Sequence, residues 1–181
     1  MTGFDDAFTC KLNTHLANGG VIAFPTDTVW GLGALPNAAG AETLFETKRR
    51  PAEKHFVIMS GTLEHLRPHM QGFSLLALDL ARRHFPGALT IVGNDDPLFG
   101  GVRIPDNDVF RLICKHVDGH CLAATSANIS GEPVCENREE IEKLFPLIMI
   151  IGDGRPTGTA STVIKVIGDQ IRILRQGSVI I

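Results

Sequence analysis

The chain contains no tyrosine and only one tryptophan in 181 residues. Aromatic platforms on which bases could stack are therefore scarce, which argues against a broad single-stranded nucleic-acid surface. There is no basic excess either, because the formal net charge is −3. Any anion site must be a local cluster of cations. Long hydrophobic runs are also missing. The longest aliphatic one, Leu147 to Ile151, falls far short of the roughly 20 residues that span a bilayer. Asp5, Asp6 and Lys11 break up the first segment, unlike the apolar core of a secretory signal. The expectation is a cytoplasmic chain, with residues 1–181 forming one domain and no membrane partner.

Metal and nucleophile signatures are equally thin. The four cysteines, Cys10, Cys114, Cys121 and Cys135, form no CxxC pair. Cys114, His116, His120 and Cys121 cluster in sequence, but their spacing is not that of a zinc site, so no metal ligands are assigned. No GxxxxGK[ST] phosphate loop, GxGxxG turn, GxSxG elbow or HExxH helix occurs.

The local patterns alternate helix and strand. Phe4, Phe8, Leu12 and Leu16 mark a helix from Asp5 to Asn18, stopped by Gly19-Gly20. A helix capped by Asn37 carries Ala41, Leu44, Phe45 and Lys48 on one face. Further helices are expected over Ser74–Phe85, Asn107–Val117 and from Asn137 to Phe145, the last with Glu140 in a capping box. Strands are expected at Val21–Phe24, Phe56–Met59, Leu89–Val92, Val102–Ile104, Cys121–Ala124, Leu147–Ile151, Thr162–Ile167 and Ile171–Leu174. The class is α/β, a twisted mixed sheet with flanking helices. Polar groups follow the strands at Thr26 to Thr28, Thr125 to Asn128, Asp153 to Ser161 and Arg175. Ligands in open α/β sheets settle at strand carboxyl ends.

Two constellations stand out. In Lys48-Arg49-Arg50 the cations complement a helix C-terminus, yet Lys48 continues the apolar stripe. A buried ammonium needs a carboxylate or a ligand. In Ser126-Ala127-Asn128, an extended backbone would turn hydroxyl and amide to one side, ready for phosphate or carboxylate oxygens. Arg103 and Arg175 add cations at strand ends. Together these groups suggest a basic concave cleft.

The segments "GGVIAFPTDTVWGLG", "KRRP", "HFPGALTIV", "GGVRIPD", "AATSANISGEP", "DGRPTGTASTVI" and "RILRQG" resemble, in order, those of the YrdC/TsaC family of threonylcarbamoyl-AMP synthases. The resemblance implies a YrdC-like fold and adenylation without a covalent nucleophile. L-threonine, bicarbonate and ATP with Mg2+ would give threonylcarbamoyl-AMP and pyrophosphate. Partner proteins would then transfer the threonylcarbamoyl group to tRNA. It implies catalytic roles for Lys48, Arg50, Ser126 and Asn128. It places ATP on these residues with Lys54 and Arg175, and threonine on Thr28, Arg103, Ala124 and Ser161. Gly31 and Gly33 would let backbone approach the pocket. "KRRPAEKH" would close over ATP as a lid. Asp27 would face solvent, orient a lysine or meet the threonine ammonium.

Departures from the family pattern are Trp30 for Tyr or Phe, Ala88 in the PGPLT turn, and Met59 where some members carry His. The chain stops six residues after Arg175, as expected for the short bacterial form. The competing readings are a double-stranded RNA or tRNA binder acting in ribosome maturation, and a carbamoyl transferase using carbamoyl-adenylate. Direct tRNA contact stays open.

Overall fold

The computed structural model describes residues 3–49 and 55–181. Its strands are β1 (Ile22–Pro25), β2 (Trp30–Ala34), β3 (Val57–Ser60), β4 (Leu89–Val92), β5 (Gly101–Arg103), β6 (Cys121–Ser126), β7 (Met149–Ile150), β8 (Thr162–Ile167) and β9 (Gln170–Arg175). They form one mixed sheet in the order β7-β1-β2-β6-β3-β5-β4-β8-β9. The helices are α1 (Asp6–Ala17), α2 (Ala38–Lys48), α3 (Leu63–Leu66), α4 (Leu75–His84), α5 (Asp108–His116) and α6 (Arg138–Leu144), with a 3-10 turn at Arg67–Met70. Among the described residues, no helix is long and apolar enough to cross a membrane.

Side-chain caps fix the helix starts. Asp5 accepts from the Phe8 amide at 2.7 Å, Asn37 from Gly40 at 2.8 Å, Asn107 from Phe110 at 3.0 Å and Asn137 from Glu140 at 2.9 Å. Each satisfies a first-turn donor that the helix itself leaves unpaired. The sequence reading places these helices within a residue or two. It misses α3, a single turn capped by Thr62, and β2.

Register sorts the side chains between two faces, because paired residues share a face and neighbours along a strand alternate. Ala23, Leu32, Ala123, Ile58, Val102, Ile91 and Ile164 lie on one face. They build the larger core with Leu44, Leu80 and Ile141 of α2, α4 and α6. The opposite face carries Ile22, Phe24, Ala124, Leu122 and Met59, which pack against Leu12 and Leu16 of α1 and Phe110 and Ile113 of α5. This second cluster takes no residue from β4, β5, β8 or β9. Half of that face is therefore covered by helices. The other half presents Thr90, Arg103 and Arg175, each in register with the covered half.

The β1–β2 hairpin gives Gly31 and Gly33 a packing reason that the expected approach of backbone to a pocket did not include. Gly31 pairs with Phe24, and the Phe24 ring lies across both glycines. A Cβ would sit 2.8 Å from the ring at Gly31 and 2.7 Å at Gly33. Phe24 is fully buried and packs tilted against Phe110 with ring centroids 4.9 Å apart, so it has little room to yield. Gly33→Ala is expected to lower stability by about 1–3 kcal/mol through overpacking. Combining it with Phe24→Leu should cost less than the sum of the single changes. Additive urea-denaturation shifts would refute this contact.

Candidate active site

Arg103 ends β5 and is 2% exposed. A buried guanidinium must find acceptors, and two chain segments supply three of them. Its Nε donates to the Gly87 carbonyl at 3.0 Å, its Nη1 to the Thr28 hydroxyl at 2.9 Å and its Nη2 to Asp27 Oδ1 at 2.6 Å. Burial pulls the Arg103 pKa down; Asp27 opposes this, while Arg175 nearby adds to it. Arginine remains charged through such shifts at neutral pH.

The loop bearing Asp27 and Thr28 is rigid. Thr26 Oγ1 donates to the Val29 carbonyl at 2.7 Å and lies 3.0 Å from Thr28 Oγ1. From outside, Thr157 donates through Oγ1 to the Asp27 carbonyl at 3.1 Å, and the Gly158 amide donates to the Thr28 carbonyl at 2.8 Å. The segment around "GDGRPTG" thus braces the strand-end loop.

Arg175 ends β9 and donates to Ser161 twice, from Nε to its carbonyl at 3.0 Å and from Nη2 to its hydroxyl at 3.1 Å. Thr90 of β4 holds the same hydroxyl at 2.9 Å. Thr90 is 2% exposed and escaped the sequence reading. Its signal was a polar residue breaking the apolar alternation of Leu89 and Ile91. Burial lowers the Arg175 pKa as well.

Lys48 makes a third group. Its ammonium is 1% exposed, as its place on the apolar stripe predicted. It donates to the carbonyls of Ser126 at 2.5 Å and Asn128 at 2.7 Å and to Asn128 Oδ1 at 2.8 Å. These three described acceptors are carbonyl and amide oxygens. Ser126 Oγ donates to Asn128 Oδ1 at 2.7 Å, and Asn128 Nδ2 to the Glu132 carbonyl at 2.6 Å. The Asn128 amide turns back to the Ser126 carbonyl at 3.1 Å. Hydroxyl and amide therefore face each other around a turn, not outward from an extended strand.

The remaining expected residues divide. Ala124 is buried in the helix-covered half of the same face, and Met59 pairs directly with Arg103 across β3 and β5. Arg50 and Lys54, with most of the expected lid, lie outside the described residues. Trp30 faces the other core and is 1% exposed; its Nε1 has no hydrogen-bond partner. It lines a cavity of about 620 Å³ with Val29, Pro133 and Arg155. None of Lys48, Arg103, Ser126 or Arg175 lines that cavity, and the enclosed basic cleft expected from sequence is not traced there.

Nor do the site groups line one carboxyl edge of the sheet. The pairing directions put Thr28 and Ser126 at one end of the strands, and Arg103, Ser161 and Arg175 at the other. Arg103 nonetheless reaches Thr28 and Asp27, and a sheet twist of roughly 20–25° per strand pair is what lets the ends of separated strands approach.

Lys48→Met keeps the aliphatic stem and removes the ammonium, leaving buried oxygens of Ser126 and Asn128 short of a donor. A stability loss of about 2–4 kcal/mol is expected. An unchanged urea midpoint would show that the ammonium contributes nothing net.

The Sua5/YciO/YrdC family model, described as "Telomere recombination", matches residues 14–177. A threonylcarbamoyl-AMP synthase from Neisseria gonorrhoeae is 32% identical over 157 residues, covering 80% of this chain and 82% of its own. One from Xanthomonas euvesicatoria is 33% identical over 91% of this chain and 92% of its own. The P. abyssi Sua5 structure in complex with L-threonine aligns with a TM-score of 0.81 at 26% identity. It covers 96% of this chain, which spans only 55% of the Sua5 chain. E. coli YciO shares the fold, with a TM-score of 0.78 at 23% identity over 96% of this chain and 90% of its own. With a family model covering nearly its whole length and relatives above 30% identity, the chain belongs to the Sua5/YciO/YrdC family.

Proposed function

We propose that this chain is a threonylcarbamoyl-AMP synthase. It condenses L-threonine, bicarbonate and ATP into threonylcarbamoyl-AMP and pyrophosphate. The observation that carries the reading is the buried Arg103 centre with Thr28 in hydrogen-bond contact, in a family whose Sua5 member was crystallised with L-threonine. A planar guanidinium suits a carboxylate better than an ammonium does.

Arg103, Thr28 and Ser161 hold threonine, with Ala124 in the adjoining wall. The amine takes up CO2 from bicarbonate to give a carbamate. One carbamate oxygen attacks the α-phosphorus of ATP, and pyrophosphate leaves as that bond forms. No protein nucleophile is required. Fixed cations and donors meet the charge that develops on the phosphates. Arg175, Ser126 and Asn128 are assigned to ATP, together with Arg50 and Lys54. The buried contacts of Lys48 support a positioning role, in which its ammonium holds the Ser126–Asn128 turn in shape.

Mg2+ fits as part of the ATP complex. Asp27 is the one carboxylate among these residues and is already engaged by Arg103. The metal would therefore be held mainly through phosphate oxygens, the common mode for Mg2+. The product goes to proteins that transfer the threonylcarbamoyl group to tRNA in the cytoplasm. The RNA-binder alternative draws little support from the surface, where the large exposed apolar side chains are Leu and Ile.

The test is pyrophosphate release by the purified chain with ATP, bicarbonate and threonine. Release should require all three. Arg103→Lys should reduce kcat/KM for threonine by about 100-fold or more and change the KM for ATP by less than about threefold. Release that ignores threonine would overturn the assignment.

A further inference from the structure

Asp27 has no role in the site as assigned above, yet it sits at its centre. Its Oδ1 accepts from Arg103 at 2.6 Å. Its Oδ2 has no hydrogen-bond partner among the described residues, and the side chain keeps 17% of its surface exposed. The backbone around it is pinned by Thr157 and Gly158. The carboxylate is thus fixed beside the guanidinium with one oxygen left over.

That pairing has a consequence for what Arg103 can bind. A ligand bringing only a carboxylate would meet Asp27 as a like charge next to the site it occupies. A ligand with an ammonium one carbon from its carboxylate turns the same repulsion into attraction. Its anion lies on Arg103 and its cation on Asp27. Cation and anion sit side by side at hydrogen-bond distance in the protein, as they do in an α-amino acid.

We propose that Asp27 is a specificity-determining residue that receives the α-ammonium of the amino acid whose carboxylate lies on Arg103. The inference rests on the threonine reading above and adds how the site tells an amino acid from a hydroxy acid. Neither solvent exposure nor a lysine partner, two of the sequence-based options for Asp27, describes its contact with Arg103.

The rival explanation is that Asp27 only orients Arg103. Two ligands separate these, threonine and 3-hydroxybutyrate, which has the same carbon skeleton without the amine. Binding to the full chain is measured by calorimetry, with 3-hydroxybutyrate also tested as a competitor of threonine. The wild type should favour threonine by about 100-fold or more, as expected when a built polar contact is lost. Asp27→Asn retains an oxygen for Arg103 but not the charge. It should weaken threonine binding by about tenfold or more, and strengthen 3-hydroxybutyrate binding, because the repulsion is gone. The KM for threonine should rise while the KM for ATP stays within about twofold. Asp27→Glu should regain part of the preference for threonine.

If Asp27→Asn weakens both ligands equally, Asp27 merely orients the arginine and the proposal fails. It fails too if threonine-dependent pyrophosphate release is unchanged in that variant, an outcome that leaves the synthase reading intact. If the wild type binds no threonine, the synthase reading falls first and takes the proposal with it.

Discussion

The architecture of this site follows from one constraint, a guanidinium withdrawn from water. An isolated ion in a protein interior costs several kcal/mol even after relaxation. Arg103 can stay buried only if acceptors converge on it from every side. They come from chain segments far apart in sequence, the Gly87 carbonyl before β4 and the Asp27–Thr28 loop after β1. Those contacts fix where the β1–β2 hairpin tip lies relative to β5. The hairpin in turn places β2, and β2 places Ser126 through its pairing with Gly31. The positions of Thr28 and Ser126 are thus linked through a single arginine.

Lys48 solves the same problem differently. Where Arg103 meets a carboxylate, the described acceptors of Lys48 are carbonyl and amide oxygens. Those dipoles give the ammonium three described acceptors at Ser126 and Asn128. At Arg103 the added carboxylate suits a ligand that carries its own cation. The two buried cations thus differ in their described partners, a carboxylate for one and dipolar oxygens for the other.

Much of this was legible in the sequence, but unevenly. The capped helices announced themselves, because Asn37, Asn107 and Asn137 are short polar residues before apolar-periodic runs. Lys48 was correctly placed inward from its spacing alone. β2 was hidden because Gly31 and Gly33 argue against a strand; the signal lay in the alternate positions, Trp30, Leu32 and Ala34. Those glycines follow from Phe24, seven residues before Gly31 in the chain and visible as their neighbour only after pairing. The site residues could be picked out by type, while their partners could not. Nothing local to Asp27 points to Arg103, and nothing local to Thr90 points to Ser161. The second pair depends on β4 lying beside β8, and the first on a contact between the β1–β2 hairpin and β5, which are not neighbours in the sheet.

The unequal cover of the sheet explains how such a site can exist without a dedicated loop domain. On the face shared with α1 and α5, the register positions are apolar from β7 to β3 and shift to Thr90, Arg103 and Arg175 beyond it. Helices pack where apolar side chains give them something to bury, and stop where those side chains give out. The polar half stays uncovered by α1 and α5. Arg103 on it meets the hairpin tip instead of open solvent. A few substitutions along the alternation of four strands thus set both the limit of the helical layer and the floor of the candidate active site.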